Sequence, residues 1–217
     1  MVPRTVIASA LIAAALASPM RAIAHPPQAA GSRGTSTSLG GTQWVEFEDR
    51  TEFFFVNFPE TPKVTTTAWQ SRQGGTYPAR VYTAYEGPGR YTMTVVNLSE
   101  MRDLTEMKAM ISWEAWRFRK MGGAITYDMY GQIDRIAGHQ LHIKHADNTT
   151  SIVGIYLHDK RLYTMEARVP EARTAGALLF EPSLSILDEN GRRIRYDADE
   201  YGNPTKRIIE YGLLEGR

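Results

Sequence analysis

The chain has no cysteine among its 217 residues. That excludes disulfide staples, a thiol nucleophile and the lipidated cysteine of a lipoprotein, so stability has to come from packing. Histidine is scarce, with five in all. No G-x-S-x-G elbow, H-E-x-x-H pair or phosphate-cradling glycine loop occurs. An excess of one charge is missing too: 25 Lys and Arg stand against 24 Asp and Glu, without the basic stripe of a nucleic-acid binder. These absences lead us to expect no catalytic residues, no cofactor, no resident metal and no nucleic-acid partner.

What is present first is a leader. Arg4 gives a positive start, an apolar run extends from Val6 to Ala17, and Ala22-Ile23-Ala24 sets small residues where a signal peptidase reads. The run of about 12 residues is too short for a bilayer, which needs roughly 20. Residues 1–24 are therefore expected to be a cleaved signal peptide, with Ala17 as the competing cleavage point. The mature chain is expected in the periplasm of a Gram-negative cell, without a transmembrane span. Cleavage removes Arg4 and Arg21 and no acid, turning the formal charge of +1 into about −1. Residues 25–43, opening HPPQAAGSRGTSTSLGGT, hold almost no large apolar group and are expected to be a flexible linker. A freed His25 terminus has the groups to chelate copper, but a disordered end that binds nothing is the simpler reading.

From Trp44 the pattern is mainly that of strands. Residues 53–58 (FFFVNF), 64–70, 80–86 and 90–98 alternate or run apolar between turn residues. The period then changes, and a helix capped by Ser99 is expected to reach Met121 and stop at Gly122-Gly123. At about 100° per residue, Leu104, Met107, Ile111, Ala115 and Phe118 form one stripe. Trp113 and Trp116 lie about 140° to 160° from it, so either the tail or a loop covers them or they are the candidate partner-binding residues. Strands are expected again at 124–130, 133–137, 140–146, 151–158 and 162–169. A second helix is expected from Pro170 to about Phe180, and a last strand at 183–187. The domain is thus expected to span 44–188. Residues 189–217 form a charged extension, a hairpin about Gly202-Asn203-Pro204 or partly disordered.

The segment HQLHIKH carries His139, His142 and His145. Leu141 and Ile143 alternate with polar neighbours, so the segment reads as a strand. Its rings then diverge, and His139 and His145 sit roughly 20 Å apart on one face. Pairing Leu141 with Leu157 would bring His142 and His158 to about 7 Å on a sheet face, a candidate small-ligand or metal site. Asp197-Ala-Asp199-Glu-Tyr201-Gly202 has the opening of a calcium loop but lacks its closing glutamate. Glu46, Glu48 and Asp128 are acids that folding alone could pair.

The strand-then-proline segment FFVNFPETP at 54–62 resembles the opening motif of PsbP-like proteins, whose bacterial members include periplasmic, DcrB-like forms. The later order of elements, through Gly138, Arg161-Leu162-Tyr163 and Phe180-Glu181-Pro182-Ser183-Leu184, extends the likeness over about residues 44–188. The resemblance implies an α+β fold, an antiparallel sheet flanked by helices in an α/β/α sandwich. It also implies a non-catalytic role with a protein partner, since relatives serve as extrinsic photosystem subunits or bind a small GTPase. It carries over no site residues. The combined expectation is an exported, non-enzymatic envelope protein that binds or supports another protein. The alternative is a small-ligand or metal-binding protein using the face around His142 and His158.

Overall fold

The computed structural model describes residues 37–39 and 42–209. The expected signal peptide and the His25 terminus lie outside them. The first part of the chain forms β1 (Thr37–Leu39), β2 (Thr42–Asp49), β3 (Phe54–Phe58), β4 (Lys63–Gln70), β5 (Thr76–Glu86) and β6 (Gly89–Asn97), then helix α1 (Leu104–Lys120). The second part forms β7 (Ala124–Ile133), β8 (Ile136–Lys144), β9 (Thr149–His158), β10 (Arg161–Pro170), the four-residue α2 (Thr174–Ala177), β11 (Ser185–Ile186), β12 (Arg193–Ala198) and β13 (Pro204–Ile209).

The strands make an antiparallel seven-stranded sheet, ordered β4-β5-β6-β10-β9-β8-β7, a smaller sheet ordered β1-β2-β3-β11, and the hairpin β12-β13. β1 and the start of β2 fall in the segment expected to be a free linker. They pair with Thr37 opposite Trp44, because backbone groups can satisfy one another without apolar side chains.

Strand β9 explains the layers. Its residues 151–156 are buried on both faces. Val153 and Ile155 point to one core, with Leu141, Met110 and Phe118. Ile152 and Tyr156 point to the other, with Phe54, Phe58 and Phe180. A sheet buried on both faces needs two covers. Here α1 supplies one, and the smaller sheet with the α2 region supplies the other. The α+β, antiparallel character holds, whereas the helix-flanked sandwich is half right: one flank is a sheet. The expected second helix shrinks to α2 between two short 3-10 turns, Glu171–Arg173 and Glu181–Ser183.

Three further differences have local causes. Asp103, not Ser99, caps α1, accepting from the N–H groups of Thr105 and Glu106 at 2.8 and 3.1 Å. The expected break near Gly131 is absent. β7 and β8 instead turn at Asp134-Arg135, whose φ of 48° and 63° makes a two-residue hairpin without glycine. The third difference is register: Leu141 pairs with Val153, and His142 with Ile152, so His142 does not face Tyr156. Gly138 faces Tyr156 instead, and a Cβ there would lie 2.3 Å from the Tyr156 ring and 2.5 Å from the Ile155 carbonyl oxygen. Gly138→Ala is accordingly expected to cost about 1–3 kcal/mol through overpacking, read as a lower midpoint in denaturant unfolding at unchanged slope. An unaltered midpoint would show that the strand can shift to admit a methyl.

Candidate functional site

Helix α1 presents the tryptophan pair. Trp113 and Trp116 stack with ring centroids 4.7 Å apart and planes 12° from parallel. Their burial differs. Trp113 packs partly against the helix-side core, and its Nε1–H donates to the Gln70 carbonyl at 3.4 Å. Trp116 is 44% exposed, with the Lys120 ammonium 5.7 Å from its ring centroid. The asymmetry follows from Glu114, a buried carboxylate that accepts from the Trp69 indole at 3.0 Å and from Arg117 at 2.8 Å. Drawing Glu114 inward turns the buried face to Met107, Met110, Glu114, Ala115 and Phe118, leaves Leu104 exposed, and carries Trp113 halfway in. The pair is therefore a half-buried indole supporting an exposed one, not two free side chains. A stripe count from hydrophobicity alone could not find this, because the residue that turns the helix is charged.

The histidines separate as a strand requires. His139 is 6% exposed beneath the end of α1. Its Nε2 lies 2.5 Å from Asp128 Oδ1 and 3.0 Å from Arg119 Nη2. A carboxylate only accepts and a guanidinium only donates, so Nε2 can serve one of them at a time; the shorter contact assigns its proton to Asp128. Arg119 grips the same carboxylate through two bonds of 2.7 Å. His139, Asp128 and Arg119 thus fasten the last turn of α1 to β7 and β8.

His142, on the opposite face, lies 4.9 Å from the Tyr127 ring. His158 lies six positions along β9 from the residue opposite His142, roughly 20 Å away at strand rise. His142 and His158 share a face of the sheet but lie too far apart to form the expected common site. Burial holds both imidazoles below their ordinary pKa.

His145 meets Ser151, with Nε2 2.9 Å from the hydroxyl, and Ser151 donates to Glu166 at 2.6 Å. The order is the reverse of a nucleophilic triad: the hydroxyl gives its single proton to the carboxylate, so the imidazole has none to take. Ser151 is also fully buried. Of the acids, Glu48 pairs with Arg50 at 2.6 Å in the smaller sheet, far from Asp128 in topology. Asp199 spends its carboxylate on the turn, accepting from the N–H groups of Tyr201 and Asn203 at 2.9 and 2.7 Å. Among the described residues no three His, Asp or Glu side chains are placed to hold a metal.

Sequence reading missed two features. Asp49 and Glu52 form a charged seam between the sheets, taking Tyr82 at 2.7 Å, Arg80 at 3.3 and 3.4 Å and Arg161 at 3.1 Å. Beside the seam lies a pocket of about 530 Å³, between the β9–β10 turn and the β12–β13 hairpin. Leu187, Ile194 and Phe53 line its apolar part, and His158, Arg161 and Lys206 are among its polar groups. His158 is held by the Tyr196 hydroxyl at 3.0 Å, and Phe53 takes a left-handed φ of 55° with the Arg161 guanidinium 4.5 Å from its ring.

No protein-family model and no curated protein matches the chain. Among solved structures, the fold resembles the solution structure of cyanobacterial PsbP (CyanoP) from Synechocystis sp. PCC 6803, at 13% identity and TM-score 0.45 over 71% of this chain and 98% of that one. The likeness is to a fold, and it assigns no site. Among the described residues no helix is long and apolar enough to cross a membrane.

The clamp at the end of α1 has a pH signature. Hydrogen bonding from Arg119 holds the Asp128 carboxyl down at about 2, below its unfolded value near 3.9. A depressed carboxylate stabilises the fold above its unfolded pKa, and that stability is lost as pH falls toward the folded value. Asp128→Asn is expected to flatten the fall in stability between about pH 4 and pH 2 relative to the parent chain. Parallel curves for the two chains would show that the pair is too solvated to matter.

Proposed function

We propose that this chain is an exported, non-enzymatic envelope protein that binds or supports a protein partner through the Trp116 face of α1. The observation that carries the reading is the stacked pair itself. An exposed indole held rigid by a half-buried one, beside a cation, has the make-up of an interface anchor, where ordering costs little on binding. The leader-like pattern of residues 1–24 supports a periplasmic setting. The histidine, serine and carboxylate clusters support a non-catalytic role, since each is occupied by a structural partner.

The pair gives a test that separates folding from binding. Trp116→Ala is expected to change stability by less than about 1.5 kcal/mol, the scale of one aromatic pair, and to abolish capture of a partner from periplasmic extract. Trp113→Ala is expected to cost roughly 2 kcal/mol, less than the ~3–5 kcal/mol of a fully buried tryptophan. Undiminished capture by a folded Trp116→Ala chain would defeat the proposal.

The pocket beside the β12–β13 hairpin favours a second reading, a small-molecule binder. The metal arm of that idea falls with the separation of His142 and His158. A metabolite that fills the pocket is expected to raise the melting temperature of the parent chain, and less so that of Lys206→Glu. No metabolite discriminating the two chains would leave the pocket a packing defect.

A further inference from the structure

The two edges of the larger sheet are unlike. The β4 edge begins Lys63-Val64-Thr65-Thr66-Thr67, and all five residues are exposed. On β7, Ile125, Tyr127, Met129 and Tyr130 all stand out in water, between 39% and 82% exposed. The strand's one charge, Asp128, is already taken by Arg119. A long edge with apolar side chains and unpaired backbone groups is what natural sheets avoid unless another strand covers it.

Where that strand can sit is limited at both ends. The register of β7 with β8 shifts between Ile125 and Tyr127, a bulge that bends the edge away. At the other end the Asp134 carbonyl accepts from the Tyr196 N–H at 3.0 Å. Among the described residues, regular open edge therefore runs from Tyr127 to Ile133, and its midpoint is Tyr130, 82% exposed.

We propose that β7 pairs antiparallel with β7 of a second copy of this chain, across a two-fold axis through Tyr130. The result is one continuous sheet made from two seven-stranded ones. A second copy is the occupant that the limits favour, because both edges are then open over the same run, and this axis alone uses all of it. Tyr130 meets Tyr130 of the second copy and Met129 meets Gly131, which leaves room for the longer side chain. Tyr127 meets Ile133. Asp128 meets Gln132, a neutral amide able to donate to it, so no like charges stand opposite one another. The contact is isologous and closed, which stops assembly at two. It does not rest on the function proposed above.

The lack of cysteine makes the test direct. Directly opposed residues in an antiparallel pair have Cα atoms about 4.5 to 5.5 Å apart, within disulfide reach. Under mild oxidation Tyr130→Cys is expected to give a disulfide dimer. Gln132→Cys, displaced from the axis, and Thr66→Cys, on the β4 edge, are expected to stay uncrosslinked. Light scattering across a dilution series should give twice the chain mass for the parent. Tyr130→Lys, which sets two ammonium groups face to face, should give a folded monomer that melts where the parent does once diluted to monomer, and below the concentrated parent. A parent chain that is monomeric throughout, as when the β7 edge serves an unlike protein, would overturn the proposal. So would crosslinking of Tyr130→Cys no faster than that of the two controls.

Discussion

Burial of the central strands on both faces is the constraint from which the rest follows. β9 and β10 lie in the middle of the larger sheet and send side chains into two separate cores. Each core needs its own cover, and the two covers have different characters. The helix-side core is closed by α1, a single amphipathic element. The opposite core is closed by an aromatic layer in which Phe47, Phe54, Phe58, Tyr82 and Phe180 meet edge-on or tilted at 5.0 to 6.2 Å. Such pairs add to the gain from area alone.

Charged groups at the margins of these cores fix how the covers sit. Asp49 and Glu52 join the smaller sheet to Arg80 and Arg161 of the larger one, while Asp128 takes both Arg119 from α1 and His139 from β8. Glu181 is a third case. Tyr156 donates to it, as does Gln140 at 2.9 Å, and burial raises its pKa. It sits directly over Gly154, where a Cβ would come within 2.4 Å of Glu181 Cγ. In each case a polar group is admitted to the interior because a partner or a missing side chain leaves room for it. Apolar burial sets how strongly the layers adhere, and these contacts set where they stop.

Much of the fold was legible in the residues. Alternation located most strands from Phe54 to Val169, and the change to helical spacing located α1, but the strand expected at 133–137 straddles the turn between β7 and β8. The HQLHIKH segment is extended, as its period-two pattern predicts. What escaped reading is what depends on distant neighbours. The register of β8 on β9 is set by the fit of Gly138 beneath Tyr156, which no local pattern encodes. The turn at Asp134-Arg135 lacks the glycine or asparagine that marks such hairpins, and Arg193 clasps Asp134 from a distant strand at 2.6 Å. The tryptophans illustrate both outcomes: their position on α1 was readable, but the unequal burial of Trp113 and Trp116 depends on Glu114 reaching Trp69. The pocket could not be foreseen, because its walls come from segments that are far apart in sequence.

The pairing of β6 with β10 brings Asn97 beside Arg161 and Arg90 beside Arg168, across everything from α1 to β9. The sheet is thus two hairpin-linked halves, β4-β5-β6 and β7-β8-β9-β10, each able to zip up from neighbouring turns. The seam between them closes only at the cost of a long loop. Closure of that shared ladder is accordingly the step expected to set the pace of assembly. An intruding strand would compete for that same inner edge of β6 or β10 during the delay, so the vulnerable moment for aggregation lies before closure and at the centre of the sheet rather than at its finished rim.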